Sequence, residues 1–327
     1  MSELSPDPDA FYFPRSGGGI DSQEPETPDA AGLNSAVIPA LHGCADRWAL
    51  WRHGRLVHVA GDFDQKVEVK SLRKTWHAMT VGAFIEQGRI GSIHDPIAPL
   101  CPELEGHHAE STWWHLLTQS TGFDYPYDDY PAFEPGKMWT YSDKNPHHLC
   151  NALARVFGHS GYQEGYDDVV TAAYFDTIAL TGWESSVRED GIRFHFNLEH
   201  MGRLGLLALA RGAWQGVQII PLEFVEMLET KQAVGMKVNY DGPDDGKVDL
   251  DDKKFPESPY GLMTWVNTDG DYYPDADTAW AWAHGAGGTF VLWNHRFGIV
   301  FAAIGHTESS APVEGGVPHT LESHLKG

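Results

Sequence analysis

The sequence predicts an α/β fold of the α+β kind, in which helices flank an antiparallel sheet. Two stretches near opposite ends of the chain, Trp48 to Asp62 and Gly288 to Ile304, have apolar runs on either side of a short polar turn. That pattern is typical of a β-hairpin. Between them, apolar residues recur at helical spacing from Ser71 to Gln87 and from His200 to Gly212. Together these stretches indicate a mixed fold.

Shorter elements fill the rest of the chain. We expect helices at Asn34–Leu41, Thr112–Thr118, Pro146–Phe157 and Pro221–Leu228, and one more strand at Tyr260–Val266. Residues 1–32 are rich in Pro, Gly, Asp and Glu, a composition that predicts an extended N-terminal arm.

Charge and composition exclude several classes of function. The 327 residues carry 46 acidic against 23 basic side chains, a formal net charge of -23. Nucleic acids and anionic membranes both attract Lys and Arg, so neither is an expected partner of this acidic chain. The expected partner is a small-molecule substrate. The N-terminus is acidic and contains proline, and no apolar run is long enough to span a bilayer. We therefore expect a soluble, cytoplasmic protein, whose oligomeric state the sequence leaves open.

Neither a metal site nor a redox pair is expected. The three cysteines, Cys44, Cys101 and Cys150, are far apart in sequence and form no C-x-x-C pair. The acidic stretch Asp241–Asp252 lacks the spacing of a calcium loop. The pairs His107-His108 and His147-His148 lack zinc-ligand spacing, so surface or capping roles are expected for them.

A candidate nucleophile lies at the start of the helix that begins near residue 71. Ser71 and Lys74 are three residues apart, so on a helix they share one face. If that helix is buried, the poorly solvated Lys74 ammonium gives up its proton more readily and can activate Ser71. Spacing alone is weak evidence, because the same S-x-x-K pattern recurs at Ser323 to Lys326.

Three further motifs follow the first in order. After Ser-x-x-Lys at 71–74 come Leu-Leu-Thr-x-x-x-Gly at 116–122, Pro-Gly-x-x-x-x-Tyr-Ser-Asp at 135–143 and His-Gly-Ala-Gly-Gly at 284–288. In order and approximate spacing the set resembles the serine β-lactamase and penicillin-binding-protein-like hydrolases. It is most similar to their class C β-lactamase-like branch, which includes family VIII esterases, D-aminopeptidases and 6-aminohexanoate-oligomer hydrolases. The resemblance runs from about residue 33 to about residue 307.

The resemblance implies a division into two lobes. Residues 33–70 and 201–327 would form the sheet-bearing lobe, and residues 71–200 a mostly helical lobe inserted into it. The active site would lie at their junction and would use no metal or organic cofactor.

Three catalytic roles follow from the same resemblance. Ser71 would attack a carbonyl carbon, and Lys74 and Tyr141 would share the proton that it loses and pass it to the leaving group. Asp143 stands where the motif often has Asn, whose amide contacts the substrate. Because an ionised carboxylate accepts hydrogen bonds and does not donate them, Asp143 is a doubtful substrate contact. It could instead pair with Lys74 or cap the following helix.

The fourth motif would supply the oxyanion hole and substrate contacts. Gly285 and Gly287 would let a substrate lie against the strand edge, and a backbone N–H near Gly287 would join that of Ser71. The resemblance places this donor only to within one residue, so it could be the N–H of Ala286 or of Gly287. His284 would polarise the site or hydrogen-bond a substrate carboxylate or Tyr141.

These roles predict a serine hydrolase that forms an acyl-enzyme on Ser71, with a carboxylesterase or amidase favoured. Aromatic residues in Tyr125–Phe133, with Trp113, Trp139 and Trp183, indicate an apolar substrate site. A β-lactamase or D-amino-acid peptidase is the alternative enzyme. A catalytically silent ligand-binding member is the non-enzymatic alternative.

Overall fold

A computed structural model describes residues 12–13, 25–123, 133–189, 191–239, 257–306 and 316–326. Most of the expected N-terminal arm, most of the aromatic segment Tyr125–Phe133 and the whole acidic stretch Asp241–Asp252 lie outside these residues. Among the residues described, no helix is both long and apolar enough to cross a membrane.

The described part of the chain contains thirteen strands and eight α-helices. The strands are β1 (Arg47–Arg52), β2 (Arg55–Ala60), β3 (Val67–Glu68), β4 (Met138–Thr140), β5 (Glu184–Arg188), β6 (Gly191–Phe196), β7 (Ala213–Trp214), β8 (Val217–Gln218), β9 (Lys237–Asn239), β10 (Trp265–Val266), β11 (Ala281–Gly285), β12 (Thr289–Asn294) and β13 (Ile299–Ile304). The α-helices are α1 (Val37–Ala40), α2 (Arg73–Glu86), α3 (Trp113–Leu117), α4 (Lys144–Phe157), α5 (Tyr166–Val170), α6 (Leu198–Leu209), α7 (Leu222–Leu228) and α8 (Gly316–Ser323).

The main sheet has six strands in the order β10-β11-β12-β13-β1-β2, and every neighbouring pair is antiparallel. The N-terminal hairpin joins the C-terminal one through β1 and β13, which pair from Arg47 with Ile304 to Arg52 with Ile299. All residues of β12 and β13 are buried, so both faces of the sheet centre are covered. The predicted antiparallel sheet with flanking helices is therefore confirmed.

Helix α6 packs closely on the sheet because it has glycines where the two surfaces meet. A Cβ at Gly202 would overlap the ring of Trp51, and one at Gly205 would overlap Val300 and Val291. The remaining buried face of α6 is rich in leucine. This close approach anchors the sheet to the helix that precedes β7.

Three small sheets accompany the main sheet in the described part of the chain, and one of them is the β7–β8 hairpin. Strands β5 and β6 form an antiparallel hairpin, and β3 pairs with β6, so the chain passes beside this hairpin before it enters α2. Strand β4 pairs in parallel with β9. The β5–β6 hairpin is absent from the predicted elements, although Ile192, Phe194 and Phe196 alternate with more exposed residues as in a half-buried strand.

Most predicted elements are present, with differences at their ends. The expected strand at Tyr260–Val266 is largely wrong, because only Trp265–Val266 is a strand and Met263 has a left-handed backbone (φ 50°). Strand β11 and helix α8 were not predicted. The helix expected from Ser71 begins as a 3₁₀ turn at Lys70–Leu72 and becomes α-helical at Arg73.

Candidate active site

The backbone holds Ser71 in a tight turn at the start of α2. Val69 N–H donates to Phe194 O of β6 at 3.0 Å, and Leu72 N–H closes the turn on Val69 O at 3.2 Å. Lys70, the residue before Ser71, has φ +52°, a left-handed conformation that costs free energy in a residue other than glycine. The turn places the Ser71 side chain at the positive end of the α2 dipole.

Lys74 connects Ser71 to a carboxylate from a distant part of the chain. Its Nζ lies 2.9 Å from Ser71 Oγ and 2.7 Å from Asp143 Oδ1. Only 1% of the Lys74 side chain is exposed, against 48% for Asp143. The side chains of Ser71, Lys74 and Asp143 therefore form one hydrogen-bonded row, in which the buried amine is in the middle.

A second buried cation, Arg73, adjoins the same carboxylate. Its Nη2 lies 3.8 Å from Asp143 Oδ1, and its Nη1 donates to Lys70 O at 3.2 Å. The ammonium of Lys74 and then the guanidinium of Arg73 hold the pKa of Asp143 far below its usual range. Asp143 occupies the N-cap position of α4 without a side-chain capping bond. Two structural roles were considered for Asp143, pairing with Lys74 and capping the following helix. The structure supports the pairing with Lys74.

Tyr141 lies over Lys74, with its ring position set by other aromatic residues. Lys74 Nζ is 4.5 Å from the centre of the Tyr141 ring, a cation–π distance. The ring stacks on Trp265 at 5.7 Å and meets Tyr260 edge-on at 6.2 Å. The structure thus brings Tyr141 to Lys74, and it is the face of the Tyr141 ring that lies at cation–π distance from the Lys74 ammonium.

Gln119 holds the loop that carries Tyr141 and Asp143. Its main-chain carbonyl accepts from Thr140 N–H at 3.0 Å, and its side-chain Oε1 accepts from Ser142 N–H at 3.1 Å and Asn145 Nδ2 at 2.8 Å. Gln119 is fully buried and has φ +61°. These bonds fix the chain on both sides of Tyr141.

Replacing Gln119 with methionine is expected to lower the free energy of unfolding by about 2 to 3 kcal/mol, because two buried donors lose their acceptor. It should also lower ester turnover, since the loop carrying Tyr141 and Asp143 loosens. Gln119→Glu keeps an acceptor at Oε1 and is the matched comparison. Urea unfolding and kcat/KM measure both effects. Equal stability of the Met and Glu variants would contradict this role.

The fourth motif lies at the sheet edge that faces the Ser71 turn. His284 and Gly285 end β11, while Ala286 and Gly287 form the exposed turn to β12. Gly288 N–H donates to Gly285 O at 3.1 Å, so this N–H is already used within the turn. That leaves the N–H groups of Ala286 and Gly287 as the candidates from this motif for an oxyanion donor.

Gly285 lets β11 contact the turn that carries Ser71. A Cβ at this position would overlap Val69 O and Thr289 Oγ1 and would lie 3.1 Å from Leu72 N. Thr289 Oγ1 donates to Val69 O at 2.9 Å and ties β12 to the same turn. The requirement for glycine therefore comes from backbone packing beside the nucleophile.

His284 is uncharged at neutral pH. Burial, with a smaller contribution from His306, lowers the pKa of His284 to about 4. The ring is partly exposed and lies edge-on to Phe290 at 6.2 Å. It can therefore exchange hydrogen bonds with a substrate at pH 7 but cannot supply a positive charge.

The structure also describes the second S-x-x-K copy and the two histidine pairs. Ser323 Oγ donates to Thr320 O, and Lys326 Nζ pairs with Asp29, so the second S-x-x-K copy forms no serine–lysine bond in the structure. Surface roles for the histidine pairs are wrong for His108 and His148, both of which are buried.

His148 belongs to a cluster with Cys101 and Glu103 whose potential ligand atoms all lie within 4.8 Å of one another. Both carboxylate oxygens of Glu103 accept from Arg155, at 3.1 and 2.9 Å. Burial raises the pKa of the Cys101 thiol to about 12. The guanidinium of Arg155 thus neutralises Glu103 in place of a metal ion, and the protonated thiol of Cys101 is a poor metal ligand.

The residues that support the site are absent from the sequence predictions. Arg73 lies inside the S-x-x-K motif and Gln119 inside the Leu-Leu-Thr-x-x-x-Gly motif. Their positions within these motifs are the sequence signal that would indicate a role in the site. Tyr260 and Trp265 gave none, because their contact with Tyr141 depends on the tertiary fold.

Comparison with known proteins identifies the fold. No family model matches the chain, and no curated protein does. Among solved structures, a β-lactamase from Mycobacterium bovis aligns over 88% of this chain and 96% of its own, with 14% identity and a TM-score of 0.63. A novel penicillin-binding protein homologue from Caulobacter crescentus aligns over 87% and 93%, with 14% identity and a TM-score of 0.59.

A third structure, a D-stereospecific amidohydrolase from Streptomyces, aligns over 92% of this chain and 98% of its own. Its identity is 14% and its TM-score 0.58. The chain therefore has the β-lactamase/transpeptidase-like fold, and the resemblance seen in its motifs is confirmed at the level of the fold.

Proposed function

We propose that the protein is a serine hydrolase that cleaves an ester or amide bond through an acyl-enzyme on Ser71, as a carboxylesterase or amidase. The observation that carries this proposal is the buried Lys74 amine, 2.9 Å from Ser71 Oγ at the start of a helix. The solved structures with this fold include proteins described as a β-lactamase and an amidohydrolase, which supports acyl transfer.

The first step starts from the form of the enzyme in which Lys74 is a neutral amine. Ser71 Oγ attacks the carbonyl carbon while its proton moves to Lys74, and Tyr141 completes the transfer of this proton to the leaving group. Asp143, 2.7 Å from Lys74, stabilises the ammonium that forms. The Ser71 N–H and a turn N–H from Ala286 or Gly287 hydrogen-bond the oxyanion. The leaving group takes the proton as the carbonyl bond to it breaks. Water then attacks the acyl-enzyme and regenerates Ser71.

Asp143 favours an ester or simple amide over a β-lactam. Its Oδ1 accepts from Lys74, and an ionised carboxylate has no proton to donate to a substrate carbonyl. The depressed pKa of Asp143 keeps it ionised at neutral pH. A β-lactam or D-peptide is the second candidate substrate, favoured only by the fold shared with proteins of those descriptions.

The proposal is tested by covalent labelling. Wild-type protein treated with a fluorophosphonate should gain one adduct in its intact mass, on the peptide that contains Ser71, and should lose p-nitrophenyl butyrate turnover in parallel. Ser71→Ala should take no label. Ser323→Ala removes the serine of the other S-x-x-K copy and should label as wild type does.

Two results would count against the proposal. Equal labelling of wild type and Ser71→Ala would place the reactive group elsewhere. Absence of both label and turnover in wild type, with β-lactams and D-peptides also intact, would favour a silent binding protein.

A further inference from the structure

Arg73 is a buried arginine that takes no part in the proton transfers of the proposed reaction. It begins α2, directly after the 3₁₀ turn that carries Ser71, and only 2% of its side chain is exposed. A buried guanidinium costs free energy unless its N–H groups have partners. The contacts of this guanidinium therefore indicate what it does.

One contact is with the main-chain carbonyl of Lys70. Arg73 Nη1 donates to Lys70 O at 3.2 Å, and the backbone N–H of Arg73 donates to the same oxygen. Lys70 has a left-handed backbone (φ +52°), which persists only where the surrounding structure supports it. The side chain of Arg73 gives this carbonyl a charged hydrogen bond in addition to the ordinary bond of the turn.

The carbonyl of Lys70 and the N–H of Ser71 belong to the same peptide group. A trans peptide is planar, so its C=O and N–H point in opposite directions. A contact that fixes the direction of Lys70 O therefore also fixes the direction of the Ser71 N–H, a donor of the proposed oxyanion hole. A positive group bound to the carbonyl also polarises the peptide and makes its N–H a stronger donor.

Asp143 contacts the same guanidinium from another side. Arg73 Nη2 lies 3.8 Å from Asp143 Oδ1, and this oxygen accepts from Lys74 Nζ at 2.7 Å. The carboxylate therefore helps to hold the guanidinium beside the Ser71 turn. Arg73 thus contacts both the peptide that contains the Ser71 N–H and the carboxylate that pairs with the proposed base.

We propose that Arg73 is a positioning residue of the oxyanion hole. Through Lys70 O it orients and polarises the peptide whose N–H, that of Ser71, binds the oxyanion. The proposal rests on the proposed function and adds a residue that acts through the backbone of the nucleophile. The Ser-x-x-Lys pattern leaves this position open, so the pattern itself does not specify an arginine there.

The test compares two esters that differ in one atom, p-nitrophenyl butyrate and the thionoester in which sulfur replaces its carbonyl oxygen. Sulfur is a weak hydrogen-bond acceptor, so an oxyanion hole accelerates the thionoester less. The reaction of each ester with hydroxide corrects for their different reactivities. The corrected ratio of kcat/KM for ester and thionoester therefore measures the oxyanion hole, whereas a weakened base slows both substrates alike.

Arg73→Met should lower this ratio about 10-fold, less than the loss of a whole oxyanion donor, because the Ser71 N–H is still present. Arg73→Lys keeps a charged donor without the planar fork, so its ratio should lie between those of Arg73→Met and wild type. A wild-type ratio in Arg73→Met, or in Arg73→Lys if the Met variant does not fold, overturns the proposal.

The matched control is Arg203→Met. It removes another buried arginine, on α6, which also donates to a main-chain carbonyl, that of Ile178 at 3.0 Å. This variant should keep the wild-type ratio even if its stability falls. An equal fall of the ratio in Arg203→Met and Arg73→Met would show a general effect of losing a buried arginine and would overturn the proposal.

Failure of the proposed function gives a different result. In that case wild type cleaves neither ester and Ser71 takes no fluorophosphonate label. NMR of protein containing isotope-labelled serine then decides the peptide contact, with the Ser71 amide signal identified by its absence from Ser71→Ala. A shift of this signal in Arg73→Met, but not in Arg203→Met, supports the polarised peptide. An unshifted signal in Arg73→Met overturns it.

Discussion

Replacing Lys74 with methionine is expected to lower kcat/KM for p-nitrophenyl butyrate about a thousandfold, within the range for loss of a general base. The amine is the group that lies 2.9 Å from Ser71 Oγ, and methionine fills similar space without accepting a proton. The fold should survive, because Asp143 is 48% exposed and remains solvated without its partner. Steady-state kinetics and thermal unfolding measure the two effects separately.

Two further variants give this prediction its controls. Lys74→Arg keeps a positive charge that cannot be deprotonated, so it should be nearly as inactive as Lys74→Met if proton acceptance is the role. Activity close to wild type in the Arg variant would instead assign Lys74 an electrostatic role. Lys326→Met removes the lysine of the second S-x-x-K copy, which pairs with Asp29 at the surface, and should leave kcat/KM unchanged.

The local parts of the site could be predicted from the sequence. A serine and a lysine three residues apart share a helix face whatever the rest of the chain does. The structure shows the expected contact even though Ser71 lies in a 3₁₀ turn before α2. The hairpins and long helices were predictable for the same reason, since their apolar periodicity is a property of consecutive residues.

Contacts between distant segments could not be predicted in that way. Asp143 lies 69 residues from Lys74, and nothing in either segment specifies the 2.7 Å contact between them. The order of the motifs suggested a contact between Asp143 and Lys74 only through the resemblance to known hydrolases. Strand β11 is absent from the predicted elements because its first residues, Ala-Trp-Ala at 281–283, show no alternation of apolar and polar side chains, and only His284 and Gly285 belong to the motif at 284–288.

The requirement for Gly285 illustrates the same limit. The sequence suggests a glycine that gives a substrate room at the strand edge. In the structure the space beside Gly285 is filled by Val69 O and Thr289 Oγ1, which belong to the protein. A glycine in a motif therefore signals a close approach, and only the fold shows what approaches.

Asp143 makes this site differ from the Asn-containing form of its motif, and its replacement by asparagine should change the reaction in two ways. The variant loses the anion that pairs with Lys74, so kcat/KM for an ester should fall, because the charge that Lys74 takes up as Ser71 attacks is no longer stabilised. An asparagine amide can donate to the side-chain amide carbonyl of a β-lactam substrate, a group that a simple ester lacks, so hydrolysis of a β-lactam relative to an ester should rise about 10-fold.

The stability of the Asp143→Asn variant should depend on pH in a defined direction. Lys74 and Arg73 lower the pKa of Asp143 in the folded protein, so the carboxylate stabilises the fold above its ordinary pKa near 4. This contribution disappears as the pH falls toward the folded-state pKa. The difference in the free energy of unfolding between wild type and Asp143→Asn should therefore shrink below about pH 4.

Urea unfolding between pH 3 and 7, with kcat/KM for an ester and for a β-lactam at pH 7, tests these effects. The control is Asp29→Asn, which breaks an exposed pair with Lys326 and should change neither kcat/KM nor the substrate ratio. An Asp143→Asn variant with the wild-type kcat/KM for the ester and the wild-type β-lactam-to-ester ratio would show that the carboxylate only holds α4 near Lys74. A lower kcat/KM for the ester would instead show that Asp143 stabilises the charge on Lys74 while Ser71 attacks the substrate.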